Sequence, residues 1–337
     1  MNLRQVAKKA IGWGAGHGGL RLFLQGKVAV FMFHRVVSRQ YYDATHFQRP
    51  VMVTQEAFGA FLGWVRKNFT VAPLSALLQP GVARLNESSQ PVAIIIFDDG
   101  WRDNFEFAFP LLQREKLPAA IFLTTGYIDG SAGFWWQELG DILSDPDLPS
   151  STRQKTGQYL REICGGQGLA ADIHNSIDQL IKLIKTRHAG EAESICSAVY
   201  QRAGRSRTNL CLSWDQCRQM SDGLIEFGSH TVSHARLTTV DGGQLEEELR
   251  QSRLQLIDKQ VCFADAICYP YGDYDQRVAA CAAKYYRLGL TTAAGLVVPD
   301  SAPGMSIPRI NIPEKIIRNR SLFWYRMLKA ALQIRRR

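Results

Sequence analysis

The chain has no C-x-x-C pair, although it contains seven cysteines, at positions 164, 196, 211, 217, 262, 268 and 281. An odd number cannot all pair internally, so a disulfide framework and a cysteine zinc site are both disfavoured, and the pattern fits a reducing compartment. No run approaches 18 apolar residues, which excludes an expected spanning helix. The first residues, MNLRQVAKKAIGWGAGHGGLRLFLQGK, are basic but lack a continuous apolar core, so they do not read as a signal peptide. A cytoplasmic protein is the resulting expectation. The net charge is +9 over 337 residues. Outside the C-terminus the cations form no dense block with interleaved aromatics, which speaks against nucleic acid as a partner. GAGHGG at 14–19 matches G-x-G-x-x-G but follows no strand, so it reads as a turn-rich entry segment rather than a dinucleotide site.

What is present is a series of short apolar runs: VAVFMF (28–33), VAIIIF (92–97), AAIFLT (119–124), LIEFG (224–228), DAICYP (265–270), LGLTT (288–292) and SIPRINI (306–312). These read as buried strands. Helical spacing marks 54–69, with Thr54 as N-cap, and also 241–260 and 275–286. Alternating β and α segments imply a parallel sheet, open or closed into a barrel. From about 128 to 210 no good strand occurs, and this stretch reads as a largely helical insertion.

Polar residues gather at the strand ends. His34 follows the first run, Asp98 and Asp99 the second, His230 and His234 the fourth, and Tyr271 and Gly272 the fifth. In parallel α/β folds the strand C-termini open on one face, where sites form. Adjacent carboxylates repel unless they are solvated or share a cation. HTVSH places two imidazoles at i and i+4, one face of a helical turn, able to bind one metal. Asp99 or Asp98 can complete the set, leaving the other for proton transfer. Each feature alone has a plainer explanation: a solvated turn, a capping histidine, a common H-x-x-x-H. Their joint placement favours a metal site.

IIIFDDGWRDNF, IEFGSHTVSHARLTTV and CYPYGDYD resemble the three leading motifs of the polysaccharide deacetylase family, the NodB-homology carbohydrate esterases. VFMFHRV and IPRINI resemble its exopolysaccharide-type branch. The resemblance covers 28–312 apart from the insertion, leaving a basic segment at 1–27 and a basic amphipathic helix at 313–337. It implies an α/β fold, a distorted (β/α) barrel of about seven parallel strands. It also implies hydrolysis of an N-acetyl group on a glycan, with release of acetate. In that scheme Asp99, His230 and His234 hold a divalent metal, with zinc the expected ion. Asp98 is the general base, His34 the general acid, and a backbone N–H near Tyr271 and Gly272 faces the oxyanion. Two departures stand out. Cys268 occupies the place where many members carry an arginine that supports the base, with Arg309 and Arg102 as candidate substitutes, and no late L-x-H motif is found.

Two further features have two readings each. Trp135 and Trp136 suit either sugar stacking or packing of the insertion. In the tail, Phe323, Trp324, Met327, Leu328 and Ala331 lie among Arg320, Arg326, Lys329 and Arg335–Arg337. That pattern suits a helix on an anionic membrane, working on a lipid-linked saccharide at its cytoplasmic face, or a helix capping the barrel. Competing functions are an esterase or non-sugar amidase using the same site, and a glycan-binding module that has lost catalysis.

Overall fold

Apolar runs with β-branched residues become strands buried on both faces. In the computed structural model these are β1 (Val28–Phe33), β5 (Val92–Phe97), β6 (Ala119–Leu123), β7 (Ile225–Ser229), β8 (Phe263–Cys268), β9 (Leu288–Leu290) and β10 (Ile310–Asn311). Short β2 (Arg35–Val37), β3 (Met52–Thr54) and β4 (Thr70–Val71) complete the set. The structure describes residues 3–17, 24, 26–79, 90–130, 133–165, 176–185, 189–298 and 304–333.

The main sheet runs β10-β1-β5-β6-β7-β8-β9, all parallel, with β4 also paired to β5. Ile307, just before β10, bridges Leu290 of β9, so one segment touches both edges of the curled sheet. This is the distorted seven-strand barrel expected from the sequence. Its inward residues alternate along each strand: Val30 and Met32, Ile94 and Ile96, Ala120 and Phe122, Ala264 and Ala266 form one cluster. The outward set includes Phe31 and Phe33, which pack edge-on against Phe61 of the helix Gln55–Asn68. Fully burying such a side chain contributes about 1.5–3 kcal/mol. Period-two parity then sets the site. The inward series 30, 32 continues to His34, 94, 96 to Asp98, and 264, 266 to Cys268. Gly228 leaves room for Phe122, whose ring a Cβ there would overlap.

The expected N-cap at Thr54 forms, and two further helices are capped in the same way. The Thr54 side chain accepts from the Ala57 N–H, Asp241 from Gln244 and Asp275 from Val278. Each such cap contributes about 1 kcal/mol.

Two expectations change at the termini. Leu3–His17 is an α-helix rather than a turn-rich entry. Gly12 is the reason: it seats against the C-terminal helix Arg320–Gln333, where a Cβ would overlap the Ser321 carbonyl oxygen. Gly18 and Gly19 lie outside the described residues. In the C-terminal helix Phe323, Trp324, Met327 and Ala331 are buried. Phe323 packs 4.6 Å from the Trp64 ring and 5.8 Å from Phe31. Its apolar side therefore covers the barrel and is not offered to a membrane. Arg335–Arg337 lie outside the described residues. No described helix is long and apolar enough to cross a membrane.

A second compact unit comprises Gln40–Arg49 and Asp129–Cys211. It contains the helices Trp135–Ser144, Ser150–Ile163, Ile177–Ile184 and Ala189–Ala203. Trp135 and Trp136 are both buried here, edge-on with centroids 5.6 Å apart. Arg207 bridges Glu138 and Glu193 within the same unit.

Candidate metal centre and active site

The chain leaves β5 through two consecutive left-handed residues, Asp99 at φ 81° and Gly100 at φ 83°. Glycine, and among acidic residues the short aspartate, tolerate that conformation. The turn separates the two carboxylates, so that they face different partners.

Asp99 Oδ1 lies 3.3 Å from His230 Nε2 and 3.5 Å from His234 Nε2. Its Oδ2 accepts from Trp101 Nε1 at 2.8 Å. The Arg35 guanidinium lies over the Trp101 ring at 4.6 Å, and Arg35 pairs with buried Asp103 at 2.7 Å. His230 Nδ1–H donates to the Cys268 carbonyl at 2.6 Å, which fixes the tautomer and turns Nε2 toward Asp99. Among the described residues, Asp99, His230 and His234 form the group of ligand atoms, mutually within 4.8 Å, able to hold a metal.

HTVSH is not a helical turn. Thr231 has φ 69° and His234 φ 59°. Glu248, buried on the helix Gly242–Asp258, accepts from the Val232 N–H at 2.8 Å, the Ser233 N–H at 3.0 Å and the Ser233 hydroxyl. A carboxylate clamping two successive amides holds the loop in a path that brings the imidazole centroids to 4.9 Å. The i, i+4 spacing is thus realised by a strained loop rather than by helix geometry.

Asp98 is buried and meets one cation. Arg309 Nη1 lies 2.7 Å from each Asp98 oxygen, with both side chains almost fully inaccessible. Arg309 Nε also donates to the Thr291 carbonyl at 2.6 Å. The Cys268 thiol donates to Asp98 Oδ1 at 3.2 Å. Arg309, rather than Arg102, therefore fills the place of the missing motif arginine, from the segment before β10 instead of from β8. His34 Nε2 is 3.9 Å from Asp98 Oδ2. Its backbone is held by Asn104, whose amide donates to the His34 carbonyl at 2.8 Å.

The electrostatics fit a divalent cation. Burial pushes the Asp98 carboxyl up, but Arg309, His230 and His34 outweigh it and the net shift is downward. Burial likewise opposes ionisation of Asp99, yet the bonds from His230 and His234 hold it well below the usual carboxylate range. Burial disfavours a charged His230, and the Asp99 bond and Asp98 charge more than offset it. Burial drives the Cys268 thiol well up, so it stays a neutral donor. Two buried carboxylates against one guanidinium leave a net negative charge at Asp99 Oδ1, which a cation held there or a protonated imidazole would balance. Two imidazoles and a carboxylate are a donor set suited to zinc and similar divalent ions.

Tyr271 and Gly272 follow β8 in left-handed conformations, with φ 61° and 74°. The Tyr271 ring stands edge-on to His234 at 4.9 Å, under the Arg236 guanidinium at 4.3 Å. Arg236 also pairs with Asp273. The Gly272 N–H donates to the Tyr269 carbonyl at 2.8 Å, so Gly272 contributes close approach, against Thr292, rather than a donor. Trp135 lies in the second unit, buried in its helix.

The structure thus brings His34, Asp98, Asp99, His230, His234 and Tyr271 together from four strand ends. Glu248 and Trp101 carry weight that sequence reasoning missed. Trp101 was signalled only by adjacency to the carboxylate pair, and Glu248 by nothing in its charged helical context. Arg309 had one signal, a lone cation inside an apolar run.

Residues 86–291 match the polysaccharide deacetylase family, and the chain belongs to that family. YxkH of Bacillus subtilis (strain 168), named for the same family, is 20% identical over 293 residues, spanning 83% of this chain and 73% of that protein. Among solved structures, the Streptococcus pyogenes deacetylase PplD in complex with acetate superposes with a TM-score of 0.54 at 18% identity, covering 90% of this chain and 98% of that one. IcaB from Ammonifex degensii superposes at 0.52 with 15% identity, covering 89% and 97%. At these identities the structural likeness establishes the fold.

Proposed function

We infer that the protein is a metal-dependent carbohydrate N-deacetylase that removes acetyl groups from an N-acetylhexosamine-containing glycan or lipid-linked precursor. The observation that carries this is Asp99 Oδ1 poised between His230 and His234 Nε2, with an ionised carboxylate clamped beside it. A divalent ion held by Asp99, His230 and His234, zinc being the expected one, would supply a more acidic water and a polarised carbonyl. Asp98, kept ionised by Arg309, takes the proton of the water that attacks the acetyl carbon. A backbone N–H at Tyr271 faces the developing oxyanion. His34 gives a proton to the amide nitrogen, the C–N bond breaks, and acetate and a free amine leave. The pairing of Arg309 with Asp98 also removes the observation that favoured a non-catalytic glycan-binding module.

The test is acetate and amine release from N-acetylhexosamine oligomers and lipid-linked sugars, after chelation and after metal add-back. Equal acetate and amine, lost on chelation and restored by zinc, supports the reading. Acetate without amine, from O-acetyl esters alone, overturns it in favour of an esterase.

A further inference from the structure

The segment that follows β5 turns back on itself. Asp99 and Gly100 are both left-handed, and the reversal brings the Trp101 indole to the carboxylate two positions earlier. Trp101 is 2% exposed, and its Nε1–H donates to Asp99 Oδ2 at 2.8 Å. An indole nitrogen is a donor only, and a buried one needs an acceptor. Core packing explains the ring. It does not explain why the N–H meets the one carboxylate that His230 and His234 also face.

The ring is itself held. The Arg35 guanidinium lies over its face, 4.6 Å from the centroid. Arg35 Nε donates to Asp103 at 2.7 Å, with both side chains buried, and Asp103 Oδ1 accepts from the Val36 N–H at 3.2 Å. A guanidinium fixed in this way leaves the indole against it little freedom to turn its N–H elsewhere. A cation on the π face also draws electron density from the ring and strengthens the N–H as a donor.

The two oxygens of Asp99 are thereby given different work. Oδ2 is committed to Trp101 in a charge-assisted bond. Oδ1, at 3.3 and 3.5 Å from the Nε2 atoms of His230 and His234, is presented to an ion that those nitrogens hold. We propose that Trp101 is a positioning residue of the metal centre: its N–H aims Asp99 so that one oxygen alone ligates, and Arg35 and Asp103 seat the indole. This rests on the reading of Asp99, His230 and His234 as metal ligands. A ligand oriented before the ion arrives loses less freedom on binding, and partners of this kind contribute about 10–100-fold in metal affinity.

The test is zinc titration by calorimetry, together with visible absorption of the cobalt-loaded protein. The samples are wild type, Trp101→Phe and Trp101→benzothienylalanine, in which sulfur replaces the N–H within a ring of the same shape. The metal-free variants should keep the wild-type far-ultraviolet circular dichroism. Zinc should bind both with unchanged stoichiometry and about 10–100-fold more weakly than wild type. The cobalt bands should weaken, because an Asp99 released by the indole offers both oxygens and raises the ligand number. Trp64→Phe, which trims an indole packed on Phe323 of the C-terminal helix, should change neither readout. Wild-type zinc affinity or an unchanged cobalt spectrum in the benzothienylalanine variant overturns the proposal and leaves the ligand set intact. So does unfolding of both Trp101 variants, which makes the indole a core residue only, or an equal loss of affinity in Trp64→Phe. A wild-type chain that binds no zinc and no cobalt overturns the metal-centre reading as well.

Discussion

Removing Arg309 is the sharpest perturbation the site offers. The guanidinium touches both oxygens of Asp98 at 2.7 Å, and both side chains are almost fully inaccessible to water. Arg309→Ala would leave a buried carboxylate beside a second one, Asp99, with no counter-cation. Breaking a buried pair from one side costs about 3–5 kcal/mol. Asp98 would respond by taking up a proton. The sign follows from its depressed native pKa. Such a group stabilises the fold above its unfolded value of about 3.9, and that stability is lost as pH falls through the lower native value. Without Arg309 the native value rises, so the acid limb of kcat/KM should move to higher pH. Turnover at neutral pH should fall about 10²-fold, within the range a general base contributes. The assay is a pH profile of acetate release alongside thermal unfolding. Because the Cys268 sulfur already sits 3.2 Å from Asp98, adding Cys268→Arg to Arg309→Ala should return a cation from β8 and recover at least tenfold in rate. Wild-type turnover and wild-type melting in Arg309→Ala would refute the reasoning.

Glu248→Ala should lower zinc affinity about 10–100-fold by calorimetry, because the loop bearing His230 and His234 loses its clamp. Glu248→Gln, which keeps the shape, should lose less. Gly272→Ala should destabilise the fold by about 1–3 kcal/mol in denaturant titration, since a side chain there meets both a left-handed φ and Thr292. Asp98→Asn should bind metal with unchanged stoichiometry while turnover drops about 10²–10⁴-fold.

The barrel was legible because parallel strands are buried on both faces and so read as unbroken apolar runs. The convergence of the candidate site residues was legible because those runs end on carboxylates and imidazoles. What was not legible depended on contacts distant in sequence. Arg309 and Asp98 are 211 positions apart, and nothing local says which of several cations will reach the base. HTVSH carried a helical spacing, but Glu248, fourteen residues beyond His234, pulls it into a loop with two left-handed residues. The N-terminal glycines signalled a turn by propensity. Packing overrode it, because Gly12 is what lets the helix approach Ser321 closely. The spacing of apolar and basic residues in the tail marks a helix, present over Arg320–Gln333, yet that pattern does not say whether lipid or the barrel covers Phe323 and Trp324.

The central claim, that Asp99, His230 and His234 together hold one catalytic divalent ion, is tested most directly by metal stoichiometry and activity on the same samples. One zinc per chain should bind the wild-type protein. Binding and acetate release should fall together in Asp99→Ala, His230→Ala and His234→Ala variants that remain folded. Full acetate release from the metal-free protein, or unchanged zinc binding in all three variants, would contradict it.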